Sequence, residues 1–406
     1  MVRVEDYMEL MGDEVLAEIY QKATPLHGMD VVHINSTYYG GGVAEMLKTL
    51  VPLMNDLGID AGWRVLHGAP DFFNITKGFH NSLQGEDFDI PEDRLEIYEK
   101  TNGDFSAYTH LDHDMVVIHD PQPLPLVKYY KKHQPWLWRC HIDLSNPNKR
   151  LWDYIKRFIL RYDGVVVSND SYKNTNLPVN QMIVYPAIDP LSNKNRDMKD
   201  SEIHAHMERM NIPRDKPIIS QISRFDKWKD PIGVIEVFKK VKEREDCRLV
   251  LCGSMASDDP EGYKIYDEVK KVAEDLIEKG DIILEVNESD LGINALQRVS
   301  SVIIQKSIRE GFGLTATEGL WKKTPVVASN IGGFPVQIEN GKHGYLFDPR
   351  DNDGFANAIV KILRNKRNTK EMGEAARENV RQKFLVTRLL LDYMNIYMDH
   401  LNINGL

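Results

Sequence analysis

The sequence is poor in cysteine, in long apolar runs and in net positive charge. Its 406 residues include three cysteines, Cys140, Cys247 and Cys252, and none stands in a CxxC pair. That usage supports neither a disulfide framework nor a zinc knuckle, and it suits a reducing cytoplasm. No stretch reaches the roughly 18 apolar residues of a membrane span. The opening "MVRVEDYMELMGDEV" lacks an apolar run of signal-peptide type. The expectation is therefore a cytoplasmic chain that neither spans a membrane nor is secreted. The formal net charge is -10, which argues against a general binder of nucleic acid or anionic membrane while leaving room for a local basic pocket. What is present, 42% hydrophobic and 28% charged residues, fits a soluble globular chain long enough for two or more domains.

Short apolar runs alternate with helical patterns along both halves. In the first half, "VVHIN" (31–35), "AGWRVLHG" (61–68), "DMVVIHD" (114–120) and "YDGVVVSND" (162–170) read as strands, and "NKRLWDYIKRFILR" (148–161) reads as a helix. In the second half, strands are expected at 217–223, 247–253, 281–286, 301–305 and 325–329, with a helix over 230–244. Such alternation predicts parallel sheets wrapped by helices. The polar run after "VYPAIDP" (184–190) predicts a boundary, with domains at 1–189 and 190–385. A long amphipathic helix near the C-terminus, within 386–406, could pack back on the first domain. Ligands of open α/β sheets bind beyond the carboxyl ends of the strands, so the loops after strands carry the interest.

Several of those loops hold chemistry-bearing residues. "GGGVAEML" starts at Gly40 and opens a helix whose free amides suit an anionic or polar group. It is not a GxGxxG fingerprint, and a plain flexible turn is the alternative. "SQISRFDKWKDP" sets Arg224 and Lys229 five residues apart, with Lys227 between them. A guanidinium and an ammonium on one loop can grip a diphosphate, and a solvated basic loop is the alternative. "IREGFGLTATEGL" (308–320) carries Glu310 and Glu318, with Gly311 and Gly313 before a helix start at Leu314 and Thr315. Those amides suit a phosphate, and the carboxylates are acceptors for sugar hydroxyls. Glu318 would lie about 6 Å along the helix from Leu314, and it also suits a plain first-turn acid. A hydrolytic pair needs carboxylates on opposite sides of a bond, which one loop-helix unit does not supply. His119 and Asp120 end one strand, and Arg139, His141 and Asp143 follow another. They could contact a polyhydroxylated substrate or serve structurally. Their spacing matches no zinc motif, and no acidic cluster suggests a protein magnesium site.

Taken in order, "SRFDKWKDP", "REGFGLTATE" and "ASNIGGFPVQIENGKHGYLFDP" resemble the diphosphate grip, the paired-glutamate motif and the following segment of the GT-B retaining glycosyltransferases, in the GT4 group that includes sucrose and trehalose enzymes. "HINSTYYGGGVAEML", "VVIHDPQPLPL" and "WRCHIDLSNPN" are similar to the trehalose glycosyltransferring synthases, which are in turn similar to retaining trehalose phosphorylases. The resemblance spans nearly the whole chain. One departure is Val336 and Gln337, where the family often has an acidic residue after the "GG-x-P" turn.

The resemblance implies two Rossmann-like α/β domains facing a deep interdomain cleft, the first on the acceptor side and the second binding a nucleotide sugar. It implies reversible, retaining transfer of glucose from a nucleoside diphosphate glucose (ADP-, UDP- or GDP-glucose) to free glucose, giving trehalose. Arg224 and Lys229 would bind the diphosphate, Glu310 the donor glucose and Glu318 the ribose. Gly41 and Gly42 would lie near the diphosphate or acceptor, His119 and Asp120 near the donor sugar, and Arg139, His141 and Asp143 on the acceptor side. No tightly bound cofactor is implied; a divalent cation such as Mg²⁺ would arrive with the nucleotide rather than on a protein site. Partners are small sugars and nucleotides, with neither nucleic acid nor membrane, and a homodimer is the commonest oligomer for such a chain. Rival readings are a trehalose phosphorylase using inorganic phosphate, a related transferase with another acceptor, and a non-catalytic nucleotide-binding scaffold.

Overall fold

A computed structural model describes residues 2–39, 41–89, 91–253, 260–286 and 288–402. Gly40, at the head of the glycine run, and residues 403–406 lie outside the described residues. The chain divides into two compact units, one of Met1–Ala187 with Leu385–Leu406, the other of Ile188–Phe384.

The first unit is built on six parallel strands: β1 (Asp30–Asn35), β2 (Asp60–Val65), β3 (Met115–His119), β4 (Trp136–Arg139), β5 (Gly164–Val167) and β6 (Asn180–Ile183), in the order β2-β1-β3-β4-β5-β6. The inner strands are mainly apolar on both faces, and β3 is buried at every position, as a sheet covered by helices requires. Val116, Ile118, Trp136 and Trp138 pack with Phe72, Phe79 and Tyr98, and the rings of Phe79 and Tyr98 meet edge to face at 4.6 Å. The helix Lys149–Ile159 starts where Asn148 accepts from the amides of Arg150 and Leu151, a cap of the kind that contributes about 1 kcal/mol. The C-terminal helix Val386–His400 belongs to this unit. Arg388 on it donates to the carbonyl of Tyr185 at 2.7 Å and pairs with Asp392.

The second unit has β7 (Ile218–Ile222), β8 (Arg248–Gly253), β9 (Ile282–Val286), β10 (Ser300–Gln305), β11 (Val326–Ser329) and β12 (Gly344–Phe347), all parallel, in the order β12-β11-β10-β7-β8-β9. Its core joins Ile219, Leu249, Leu251, Val302 and Ile304 to the inward faces of the helices Pro231–Lys242 and Asn352–Arg364. Both sheets are Rossmann-like. The direction of strand succession reverses between β1 and β3 in one unit, and between β7 and β10 in the other. At such a reversal neighbouring loops diverge and leave a crevice at the carboxyl edge.

The edge strands β6 and β12 were not expected from the sequence. Each has four residues, mostly half-buried, so neither shows the continuous apolar run that marked the inner strands.

Candidate functional site

In the second unit, the loops after β7 and β10 meet at the reversal point. After β7 comes Arg224, then a single turn at Lys227–Lys229, then Asp230. Gln221 on β7 donates to the carbonyl of Lys229 at 2.8 Å and fixes the backbone that carries the ammonium. Asp230 has φ +48° and caps the helix Pro231–Lys242 by accepting from Gly233. Its other carboxylate oxygen pairs with Lys306, a buried lysine just beyond β10. The amide of Ile308 donates to the carbonyl of Trp228 at 2.7 Å. Three ties therefore hold the loops in one register: the Lys306–Asp230 pair, the Ile308–Trp228 bond and a contact between side chains at the crevice.

That last contact joins Lys229 Nζ to Glu310 Oε2 at 2.6 Å, with both side chains largely covered. Ser307 Oγ lies 3.4 Å from the same oxygen. Lys227 instead lies over the ring of Trp228, so of the two lysines Lys229 is the one drawn into the glutamate loop. Arg224 is half-exposed and leans on Asp226 at 3.1 Å.

Beyond Glu310, Gly313 takes φ +81° at the start of the helix Leu314–Trp321. A side chain there would strike the ring of Phe334 at 2.4 Å. The chain thus turns sharply enough to leave the first amides of the helix, at Leu314 and Thr315, at its open end, where a helix has no internal acceptors for them. Gln337 locks this turn from below. Fully buried, it accepts from Thr317 Oγ1 at 2.6 Å and donates to the carbonyl of Phe312 at 2.6 Å. Asn379 holds the Gln337 carbonyl at 2.9 Å. Gln337 therefore occupies the place where the resemblance led one to expect an acid, and it supports the loop by neutral hydrogen bonds. Glu318 sits deeper on the same helix, with Oε2 accepting from Gln297 at 2.8 Å.

The first unit gathers its expected residues at the edge of β1, β3 and β4. Gly41, at φ +83°, precedes the helix Gly42–Asp56. His119 ends β3. Its ring lies 3.0 Å from His33 on one side and 3.0 Å from His141 on the other, and it is fully buried. Both His119 nitrogens face neighbouring histidines, so the ring expected beside the donor sugar is an internal link as placed, and His141 is the partly exposed member of the three. Burial lowers the His33 pKa to about 3 and holds those of His119 and His141 well below the ordinary histidine value. Asp120 has φ +63° and accepts from the His141 amide at 2.8 Å. Burial raises its pKa to about 6.

Arg139 was expected on the acceptor side. Its guanidinium is wholly buried and donates to the carbonyls of Val167 at 3.1 Å and Val184 at 2.6 Å, tying the ends of β5 and β6. Asp143 is also buried, with Oδ1 accepting from the Ser145 amide. Sequence reasoning missed Lys306, His33 and Tyr397. A lysine directly after a buried strand and a histidine inside "VVHIN" were the signals for the first two. Nothing local marks Tyr397. Among the described residues no group of three or more His, Cys, Asp or Glu side chains is placed to hold a metal ion, and no helix is long and apolar enough to cross a membrane.

Comparisons with known proteins place these loops in context. Residues 33–174 match the family model "Trehalose synthase, N-terminal domain", and residues 202–379 match "Glycosyl transferases group 1". The chain is 43% identical to a trehalose synthase of Pyrococcus horikoshii, over 99% of this chain and 97% of that protein. It is 27% identical to a trehalose phosphorylase of Pleurotus pulmonarius, over 93% of this chain and 58% of that longer protein. Among solved structures, the sucrose-phosphate synthase of Thermosynechococcus elongatus superposes with a TM-score of 0.74 at 16% identity, covering 92% of this chain and 100% of the other. At that identity the likeness speaks for the fold, which is GT-B. The chain belongs to the trehalose synthase family of GT-B glycosyltransferases.

Proposed function

We propose that this protein makes trehalose, reversibly and with retention, from a nucleoside diphosphate glucose and glucose. The observation that carries the reading is near-full-length similarity to proteins named trehalose synthase, at 43% identity against 27% for a phosphorylase. The second unit, residues 190–385 in the sequence reading, takes the donor, and the first supplies contacts to the acceptor.

Arg224, Lys229 and the Leu314 and Thr315 amides receive the diphosphate. As the anomeric C–O bond breaks, charge gathers on the departing phosphate. Fixed cations and amides stabilise that charge more in the transition state than in the ground state. Glu310 accepts from hydroxyls of the transferred glucose. Lys229 keeps its carboxylate aimed until the donor arrives. Glu318 accepts from the ribose through the oxygen that Gln297 does not hold. Gly311, Gly313, Gly41 and Gly42 let backbone approach the donor closely. Asp120 orients the His141 segment, and Asp143 shapes the acceptor side. The leaving phosphate oxygen takes the proton of the attacking hydroxyl on the same face, so no protein nucleophile is required. A Mg²⁺ ion, where used, travels with the nucleotide. The protein acts in the cytoplasm, free or as a homodimer.

The test is Arg224→Ala, assayed for turnover and for nucleotide binding. Loss of both by an order of magnitude or more is expected, and unchanged values for both would remove Arg224 from the grip.

A further inference from the structure

A line of hydrogen bonds runs through the first unit from the C-terminal helix to the edge of its sheet. Tyr397 Oη lies 3.0 Å from His33 Nε2, His33 Nδ1 lies 3.0 Å from His119 Nε2, and His119 Nδ1 lies 3.0 Å from His141 Nε2. Successive ring centroids are 5.3 Å apart, with planes tilted by 31° and then 16°. The rings therefore meet edge to edge, close to coplanar, as hydrogen-bonded imidazoles do. Tyr397, His33 and His119 have no exposed surface.

A neutral imidazole has one N–H and one bare nitrogen. Three of them in series can satisfy every link in only two ways. In one, Tyr397 donates to His33, each histidine donates onward from Nδ1, and His141 is left with Nδ1–H at the far end. In the other, every histidine is protonated at Nε2, the donors all point back towards Tyr397, and His141 is left with a bare Nδ1. The choice at His141 is thus fixed by the residue at the opposite end. In the second arrangement the acceptor among the described residues for the Tyr397 proton is Met54 Sδ, at 4.0 Å, and a thioether is a weak acceptor.

We propose that Tyr397 is a positioning residue: through His33 and His119 it holds His141 in the Nδ1–H tautomer, so that His141 offers a donor to a hydroxyl oxygen of the acceptor sugar. His141 Nδ1 makes no hydrogen bond to any described residue. The sugar as ligand rests on the glucosyl-transfer reading; the tautomer does not. A fixed donor orients the hydroxyl by its lone pair and leaves the hydroxyl proton free for the departing phosphate. It also removes His141 as a general base.

The experiment is ¹⁵N NMR of the full-length, substrate-free protein with labelled histidine, with His141 assigned by loss of its signals in His141→Asn. In the wild type, His141 is expected to carry its proton on Nδ1, by about ten to one from the weakness of the alternative acceptor. In Tyr397→Phe both tautomers should appear, and the KM for glucose should rise several-fold with kcat changing less. Met54→Leu should leave His141 at Nδ1–H. A wild-type His141 protonated at Nε2 overturns the proposal, and so does an unchanged pattern in a folded Tyr397→Phe. Should Tyr397→Phe fail to fold, the wild-type and Met54→Leu spectra decide alone. Because the spectra need no substrate, the relay can fail in a protein that makes trehalose, or hold in one that does not, and the two readings are separated.

Discussion

Lys229 Nζ and Glu310 Oε2, 81 residues apart in sequence, lie 2.6 Å from each other and join the loops after two adjacent central strands. The cation assigned to the leaving group and the carboxylate assigned to the moving sugar thus hold each other in place before either meets a substrate. With side-chain exposures of 17% and 12%, neither is well solvated, and removing one leaves the charge of the other less compensated.

Lys229→Met and Glu310→Gln should therefore each lower unfolding free energy by about 1–3 kcal/mol, and the double variant should lose less than their sum. Denaturant titration of the four proteins without ligand measures this coupling. Additive losses would mean that the pair does not brace the loops.

Gly41 and Gly313, both at positive φ, should respond differently to alanine. A methyl at Gly41 meets nothing within 4 Å, whereas at Gly313 it strikes Phe334. Gly41→Ala should cost about 1–3 kcal/mol of backbone strain alone, since its φ and ψ lie where glycine alone sits comfortably. Gly313→Ala should cost more and raise the KM for the nucleotide sugar, since the helix start must shift. Thermal unfolding and donor kinetics of the two variants provide the comparison.

Gln337→Met keeps the side-chain volume but strips the partners from Thr317 and the Phe312 carbonyl. A loss of about 1–3 kcal/mol follows from the stranded buried groups, with weaker donor binding. Equal stability would show that the turn stands without this glutamine.

Acid should destabilise the first unit. His33, His119 and His141 have folded pKa values lowered by burial, so their neutral forms contribute stability above the unfolded value near 6.5 that is lost as pH falls below it. Asp120, raised to about 6, works in the opposite sense between pH 6 and its unfolded value. Three groups outweigh one, so stability should fall from pH 7 to pH 5. Isothermal denaturation across that range should give a positive slope of stability on pH, and the slope should shrink in His33→Gln.

The inner strands, the loops after β7 and β10 and the helix start after Gly313 were legible in the sequence because each is local. An apolar run, a glycine before a helix and a charge after a strand declare themselves within a few residues. The rest depended on direction and on distance along the chain. Arg139 has the position of a site residue, yet its side chain turns into the sheet towards the Val167 and Val184 carbonyls, and nothing in "WLWRCHIDLSNP" encodes that turn. His33 and Tyr397 meet across 364 residues, so neither announces the other. The helices Pro70–Leu83 and Glu92–Ser106 also went unrecognised. In the second, few positions are buried and the apolar stripe is faint.

The most direct test incubates the protein with trehalose and, in separate reactions, UDP, ADP, GDP or inorganic phosphate, and resolves the products by chromatography. The account predicts glucose together with a nucleoside diphosphate glucose in one or more nucleotide reactions, and neither glucose nor glucose 1-phosphate with phosphate. Glucose 1-phosphate formed with phosphate, and no nucleotide sugar with any nucleotide, would contradict it.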